Sequence, residues 1–137
     1  MANFDEKSGV IPCNTPWGKW WQTIEDIFIE VLVTEGTKSG EISIDIKPKS
    51  IKVVVKGKEV FAGPLFGTIH ADEAIWTLED KKLIRICLSK ADTSASNCWR
   101  SLLKSEYTAD PVTFDQMEQK LTLQRFQLEG EFGDFLH

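Results

Sequence analysis

The chain has 137 residues, with 42% hydrophobic and 27% charged side chains, which is the composition of an ordinary globular domain. A chain of this length can bury a sizeable core without a metal ion or a disulfide. No apolar stretch approaches the roughly 20 residues that span a bilayer, and the N-terminus lacks the features of a secretory signal. The three cysteines follow no C-x-x-C spacing, so we expect reduced thiols in a cytoplasmic protein, with Cys87 as a core thiol.

The net charge of −5 is unevenly distributed along the chain. Residues 110–137 carry six acidic and two basic side chains, and such an acidic tail argues against nucleic acid as a partner. In contrast, five lysines fall within twelve residues that contain no acid: Lys47, Lys49, Lys52, Lys56 and Lys58. Two explanations stay open, because lysines at these positions either protect the edge of a sheet or form a surface for an acidic partner.

Residues 1–15 contain Gly9, Pro12 and Asn14, which break regular structure, and are predicted to form an extended arm. Residues 16–104 show the two-residue alternation of β-strands, in six to eight segments about ten residues apart. This rhythm is typical of an antiparallel β-sandwich rather than of βαβ units. Trp99 is expected to cap one end of the sandwich. The residues predicted to face the core are Trp20, Ile27, Ile29, Val31, Ile42, Ile44, Ile46, Ile51, Val53, Val55, Trp76, Leu78, Ile84, Ile86 and Leu88.

Residues 105–137 are predicted to be a helical extension with an acidic tail, after at most two helical turns at residues 101–107. The main helix should run from about residue 111 to residue 128, with Asp110 as its N-cap and Gly130 as its stop. Its apolar face either packs on the same domain or binds a partner, and its acidic character argues against a membrane surface. The candidate binding residues on this face are Met117, Leu121 and Phe126.

Catalysis and metal binding find little support in the sequence. His70 and the C-terminal His137 are the only histidines, and neither has a neighbouring cysteine that would suggest a catalytic pair. The glycines are scattered rather than grouped in a phosphate-binding loop, and the cysteines lack the spacing of a zinc site. We therefore expect a protein that is not an enzyme and needs no cofactor or metal.

Outward-facing apolar side chains are better candidates for function. By strand alternation, Trp21, Phe28, Leu32 and Val54 point away from the core. Such residues need either a covering element, here the C-terminal helix or the N-terminal arm, or a binding partner. An aromatic surface next to cations is suited to binding another protein. The candidate binding residues on the sheets are Trp21, Phe28, Lys52, Val54, Lys56 and Arg85.

Several motifs, in their order along the chain, resemble the CS domain and more narrowly the NudC (nuclear distribution C) family. The segments that carry the resemblance to the CS domain are WWQT at 20–23, IFIEV at 27–31, WTLED at 76–80, IRI at 84–86 and NCW at 97–99. Further segments are similar to the short NudC type, which lacks the long N-terminal coiled coil: GVIPC at 9–13, TPWG at 15–18, SEYTADP at 105–111 and QKLTLQRFQ at 119–127.

The resemblance implies a seven- or eight-stranded antiparallel β-sandwich of the small heat-shock type with a C-terminal helical extension. It implies a non-enzymatic co-chaperone that binds the ninety-kilodalton heat-shock chaperone and stabilises β-propeller (WD-repeat) clients, including the lissencephaly protein of the dynein pathway. The expected location is the cytoplasm, with the centrosome, spindle pole and kinetochore as associated sites. Residues 121–123 match the I-x-I assembly motif of small heat-shock proteins only loosely, so we expect a monomer or a weak dimer.

A second hypothesis is a stand-alone holdase that suppresses aggregation without a defined partner. A holdase should suppress the aggregation of many proteins at stoichiometric amounts. An adaptor should instead bind one partner saturably, and added salt should weaken that binding if the lysine segment contributes to it.

Overall fold

The computed structural model describes residues 10–94 and 96–136, so the predictions for residues 1–9 of the arm lie outside the described residues. The described chain forms two antiparallel sheets, with strand orders β1-β2-β3-β8-β7 and β4-β5-β6. The predicted antiparallel sandwich of seven or eight strands with a C-terminal helix is therefore confirmed, with eight strands in the described residues. The strands are β1 (Cys13–Thr15), β2 (Gly18–Gln22), β3 (Asp26–Leu32), β4 (Ile42–Lys47), β5 (Ser50–Val55), β6 (Lys58–Pro64), β7 (Ile69–Glu79) and β8 (Leu83–Lys90). The last three residues of the predicted arm, Cys13–Thr15, thus pair with β2 as a strand.

The core lies between the two sheets and follows the alternation of the strands. In the five-stranded sheet, Trp20, Ile29, Ile86 and Trp76 are cross-strand neighbours that all point inward. In the three-stranded sheet, every second residue of β4 and β5 likewise points toward the core. Every residue that the alternation predicted to be inward belongs to the core or packs against it, and Trp99 is completely buried. Truncating a buried ring of this size costs about 3–5 kcal/mol, so these residues are structural rather than functional candidates.

Residues 101–107 pair with a neighbouring segment instead of forming the predicted helical turns. Leu102 and Leu103 are buried, and Leu103 forms a β-bridge with Leu65. The backbone amide of Lys104 donates to the carbonyl oxygen of Pro64 at 3.0 Å. The amides of Leu102 and Leu103 donate to the carbonyl oxygens of Tyr107 and Glu106 within the segment. Bonds in this direction and to the chain at β6 replace the i to i−4 bonds of a helix.

The C-terminal helix, α1 (Pro111–Leu136), begins where the sequence predicts and ends later. The Oδ1 atom of Asp110 accepts a hydrogen bond from the backbone amide of Thr113 at 2.8 Å, which confirms the N-cap. Gly130 does not stop the helix, because one glycine costs only about 1 kcal/mol in a helix interior and no proline follows it. The described part of the chain contains no helix with the length and apolarity that crossing a membrane requires.

The first half of α1 packs on the sandwich. Met117 and Leu121 are buried in the common core, and the Oε1 atom of Gln124 accepts a hydrogen bond from the backbone amide of Ile24 at 3.2 Å. Of the two alternatives for the apolar face, packing on the same domain is the one that the structure shows. Met117 and Leu121 must therefore be removed from the set of accessible binding residues, because the sandwich already covers them. Phe126 is 63% exposed.

Replacing Asp110 with alanine should lower the unfolding free energy by about 1 kcal/mol, because the variant leaves the amide of Thr113 without its cap. Urea denaturation followed by circular dichroism measures this loss. Glu118→Ala is the matched control, because it removes the same charge from an exposed position that caps nothing. Equal losses in the two variants would assign the effect to charge rather than to capping.

Candidate protein-binding surface

The outward side of the five-stranded sheet carries an apolar row of four cross-strand neighbours, Trp21, Phe28, Cys87 and Ile75. The rings of Trp21 and Phe28 stack with their centroids 5.6 Å apart and their planes 18° apart. Exposure rises along the row, from 6% at Trp21 to 64% at Ile75 on the edge strand β7. The row therefore has one buried aromatic end and one accessible aliphatic end.

A row of charged residues lies beside the apolar row. Lys19 pairs with Glu30 across β2 and β3, and Glu30 pairs with Arg85 across β3 and β8. Glu30 forms ion pairs with both cations, at 3.0 Å from the Nε atom of Arg85 and 3.7 Å from the Nζ atom of Lys19. Arg85 also reaches Glu79 of β7 at 3.5 Å. These ion pairs place the guanidinium of Arg85 between the carboxylates of Glu30 on β3 and Glu79 on β7.

The two rows border a groove of about 300 Å³ on this face. Phe28, Ile75 and Cys87 contribute apolar surface to it, whereas Glu30 and Arg85 contribute charge. The described residues that line the groove include none from α1. A concave surface with apolar walls and fixed charges at its border has the features of a protein-binding site.

The structure divides the sheet residues that the sequence grouped into one patch. Trp21, Phe28 and Arg85 lie together in the groove, as strand alternation predicted. Trp21 is nearly buried, so its ring supports Phe28 from behind rather than presenting a surface of its own. Lys52 and Val54 lie on the outward side of the other sheet, because both belong to β5. The outward side of the three-stranded sheet is therefore a different surface from the groove.

The lysine segment spreads over this second sheet rather than forming one cluster. Lys52 lies opposite Asp45 on β4, and Asp45 also pairs with Lys47 at 3.7 Å. Lys49 lies in the turn between β4 and β5, whereas Lys56 lies in the turn at the other end of β5. The positive charge is therefore distributed along the length of the sheet and partly neutralised by Asp45.

Two residues of the groove were missed or misplaced by the sequence interpretation. Cys87 faces outward and is half-buried, so the prediction of a core thiol was wrong, although burial does raise the pKa of its thiol. Ile75 was not singled out. Its strand carries a β-bulge between His70 and Ile75, yet the alternation with the inward-facing Trp76 was the available signal.

A second unforeseen feature is a buried polar cluster at the end of the sandwich near α1, centred on Gln22 and Lys90. The Oε1 atom of Gln22 accepts from the Nζ atom of Lys90 and from the backbone amide of Trp99, both at 2.9 Å. Its Nε2 atom donates to the carbonyl oxygen of Trp99 at 2.9 Å and to the Sδ atom of Met117 at 3.4 Å. Gln22 thus joins β2, β8, the chain at Trp99 and α1.

Lys90 is only 1% exposed, and its Nζ atom also donates to the carbonyl oxygen of Asn97 at 3.1 Å. Burial lowers the pKa of Lys90 from its ordinary 10.5 to about 8. Burial also raises the pKa of the nearby Cys98 thiol to about 11. Within the described residues there is no group of three or more histidine, cysteine or acidic side chains that could hold a metal ion.

Comparisons with known proteins agree with this geometry. The CS-domain family model matches residues 16–90. The chain is 52% identical to mouse NudC domain-containing protein 2 over 134 residues, which is 98% of this chain and 85% of the mouse protein. It is 33% identical to the nuclear migration protein nudC of Drosophila melanogaster over 115 residues, which is 82% of this chain and 33% of the fly protein.

The crystal structure of mouse NudC domain-containing protein 2 is similar to this chain with a TM-score of 0.54, and it covers 92% of this chain and 96% of the mouse chain. The CS domain is a chaperone-interaction domain with a non-catalytic fold. The family model matches more than half of this chain, and the mouse relative matches nearly all of it. The chain therefore belongs to the NudC family of CS-domain proteins.

Proposed function

We propose that this protein is a non-enzymatic co-chaperone that binds the ninety-kilodalton heat-shock chaperone and stabilises β-propeller clients, including the lissencephaly protein of the dynein pathway. We place its action in the cytoplasm, at the centrosome, spindle pole and kinetochore. Membership of the NudC family supports a chaperone-related role, and the fly relative is named for nuclear migration.

The observation that carries the proposal is the groove on the five-stranded sheet. Its apolar row would otherwise be an unexplained exposed surface, because α1 packs elsewhere on the sandwich. The ion pairs of Glu30 fix Arg85 before any partner binds, so little side-chain entropy is lost on binding. An adaptor that binds a folded surface benefits from such a rigid site, whereas a holdase needs only accessible apolar area.

Replacing Ile75 with glutamate should weaken binding of the ninety-kilodalton chaperone by at least about tenfold, since it places an unpaired charge at the accessible end of the apolar row. Leu32→Glu is the matched control, because Leu32 is 68% exposed on the same side of the sheet but does not line the groove. Titration calorimetry with the purified chaperone measures both affinities. Equal affinity of the two variants would exclude the groove as the site.

The lysine surface is tested separately by reversing Lys52 and Lys56 to glutamate. Unchanged affinity for the chaperone would remove this second sheet from the adaptor model. Broad, stoichiometric suppression of aggregation, with no saturable binding to the chaperone, would favour the holdase instead.

A further inference from the structure

The two sheets end in four edge strands, and three of these carry a feature that limits pairing with a further strand. β1 contains only three residues. The end of β6 is covered by the chain after the sandwich, where Leu103 forms a β-bridge with Leu65 and the amide of Lys104 donates to the last residue of β6. β7 is interrupted by the β-bulge between His70 and Ile75. In contrast, the six residues of the edge strand β4 pair with β5 in unbroken register.

The free edge of β4 presents backbone groups that have no partner. The amide of Lys56 donates to the carbonyl oxygen of Glu41 at 2.8 Å, which determines the positions that bond to β5. Because these positions alternate in an antiparallel pair, the backbone groups of Ser43 bond to β5, whereas those of Ile44 and Ile46 face the free edge. Among the described residues, none bonds to the amides or carbonyl oxygens of Ile44 and Ile46. This edge can therefore pair with one further strand.

Beside this edge, the space between the two sheets is open to solvent. Inward side chains of the inner strands are completely buried, as Ile29 and Val53 are with 0% exposure. Five inward side chains of the edge strands β4 and β7 are only half-buried. They form an apolar slot, here called the edge slot, which consists of Ile44, Ile46, Ala74, Trp76 and Leu78. The two edges lie on the same side of the sandwich, since the amide of Ile69 on β7 donates to the carbonyl oxygen of Pro48, directly after β4, at 2.9 Å.

We propose that the free edge of β4 and the edge slot bind an extended segment of another protein as an added strand. The backbone of the segment bonds to Ile44 and Ile46, and every second side chain enters the edge slot. Branched aliphatic side chains suit these positions, because they favour strands and the slot is uncharged. A partner of β4 along its whole length has about six residues and extends about 20 Å.

The binding of such a segment does not depend on the proposed co-chaperone function. The groove lies on the outward side of the five-stranded sheet, where Phe28 and Ile75 contribute its apolar surface. The edge slot lies on the inward side of β7 and along β4, which contributes no residue to the groove. Loss of either site therefore leaves the other in place.

The charge around β4 indicates that the segment is acidic at its remaining positions. Residues 42–58 contain five lysines and only one acid, Asp45. Lys47 on β4 and Lys52 on β5 are exposed on the outward side of this sheet. In an added strand, the side chains between the aliphatic ones point to that same side, where carboxylates meet a net positive charge. A second copy of this chain would bring the same positive charge to the edge, so an acidic segment of a different protein is favoured.

Amide hydrogen exchange of the full chain, followed by nuclear magnetic resonance, tests the strand addition. The probe is a capped synthetic peptide in which three valines alternate with glutamates. At saturating peptide, the amides of Ile44 and Ile46 should exchange at least about tenfold more slowly, because they gain acceptors. The amides of Ser43 and Asp45 should exchange slowly with and without the peptide, because both bond to β5.

Two results of this measurement would overturn the proposal. The first is unchanged exchange at Ile44 and Ile46 up to millimolar peptide, which would show that the edge accepts no strand. The second is protection of these amides that needs no peptide and increases with protein concentration, which would show that a second copy of the chain occupies the edge.

Replacing Ile44 with lysine tests the edge slot. An inward-pointing charge on an edge strand opposes the addition of another strand, so the dissociation constant of the peptide should increase at least about tenfold. Ser43→Lys is the matched control, because it adds the same charge to the neighbouring residue, which is exposed on the outward side. Equal weakening by both variants would contradict binding in the slot. The exchange measurement needs no variant, so it decides the question if Ile44→Lys fails to fold.

A second peptide, with lysine in place of each glutamate, tests the charge of the partner. Its dissociation constant should be at least about tenfold larger than that of the glutamate peptide, and added salt should reduce the difference. Equal affinities of the two peptides at low salt would overturn the assignment of an acidic partner.

Discussion

Replacing Gln22 with leucine should lower the unfolding free energy by about 3–5 kcal/mol, because three buried polar groups each lose a partner at about 1–3 kcal/mol per unsatisfied group. The Nζ atom of Lys90 loses its acceptor on Gln22 and keeps only the carbonyl oxygen of Asn97. The amide and carbonyl of Trp99 lose their bonds at the same time. Because the site is buried, water cannot replace these bonds without opening the end of the sandwich.

A double-mutant cycle separates two contributions to the loss of stability, that of the Lys90 ammonium and that of the Trp99 backbone groups. Gln22→Leu with Lys90→Met removes the ammonium as well, so it should be more stable than Gln22→Leu alone by about 1–3 kcal/mol. The double variant should still have a lower unfolding free energy than the wild type, because the backbone amide and carbonyl of Trp99 have lost their bonds to Gln22. Urea denaturation of the four proteins gives the coupling energy. A double variant that is less stable than Gln22→Leu would contradict the assignment of the loss to the buried ammonium.

The contribution of Lys90 to the unfolding free energy should rise between pH 8 and pH 9, unlike that of an exposed lysine. Above pH 8 the folded protein holds Lys90 neutral, whereas the unfolded chain keeps it protonated up to about pH 10.5. The unfolded state then binds more protons, so the unfolding free energy increases with pH. The slope can reach about 1.4 kcal/mol per pH unit. Below pH 8 the lysine is protonated in both states and contributes no slope.

Cys98 acts in the opposite direction at higher pH. Its folded pKa of about 11 exceeds the ordinary value of 9.0, so between pH 9 and pH 11 the unfolded thiol ionises first and stability falls. Burial also raises the pKa of Cys13 and Cys87, and the unfolded thiols begin to ionise below pH 9, so the cysteines oppose Lys90 even between pH 8 and pH 9. Chemical denaturation at several pH values should therefore show a more positive slope of unfolding free energy with pH for the wild type than for Lys90→Met. Equal slopes in the two proteins would assign the pH dependence to other groups.

Strand alternation was sufficient to predict the sandwich core. Ile42, Ile44 and Ile46 alternate with polar residues, and each turned out to pack inward, because a one-residue shift would place all three in water. The N-cap at Asp110 could also be predicted from the sequence, because a capping side chain bonds to the backbone of its own turn. For the candidate site, alternation gave the outward direction of Trp21 and Phe28 correctly.

Alternation could not show which sheet carries an outward residue, because that depends on strand order. Phe28 and Val54 both point outward, yet they belong to sheets on opposite sides of the core. Lys90 occupies an inward position at the end of β8, and its partner Gln22 lies 68 positions away. No local pattern indicates such a pair. The end of α1 was missed because a single glycine is a weak stop signal.

The pairing of β3 with β8 also determines when this chain can fold during synthesis. These strands are central neighbours in the five-stranded sheet, yet their paired residues lie about 50–60 positions apart. Until β8 has left the ribosome, β3 has an open edge that its native partner cannot yet cover, even when β4–β6 of the facing sheet have been made. The nascent protein thus passes through the kind of state that chaperones protect, and the five-stranded sheet is complete only after residues 83–90 have been made.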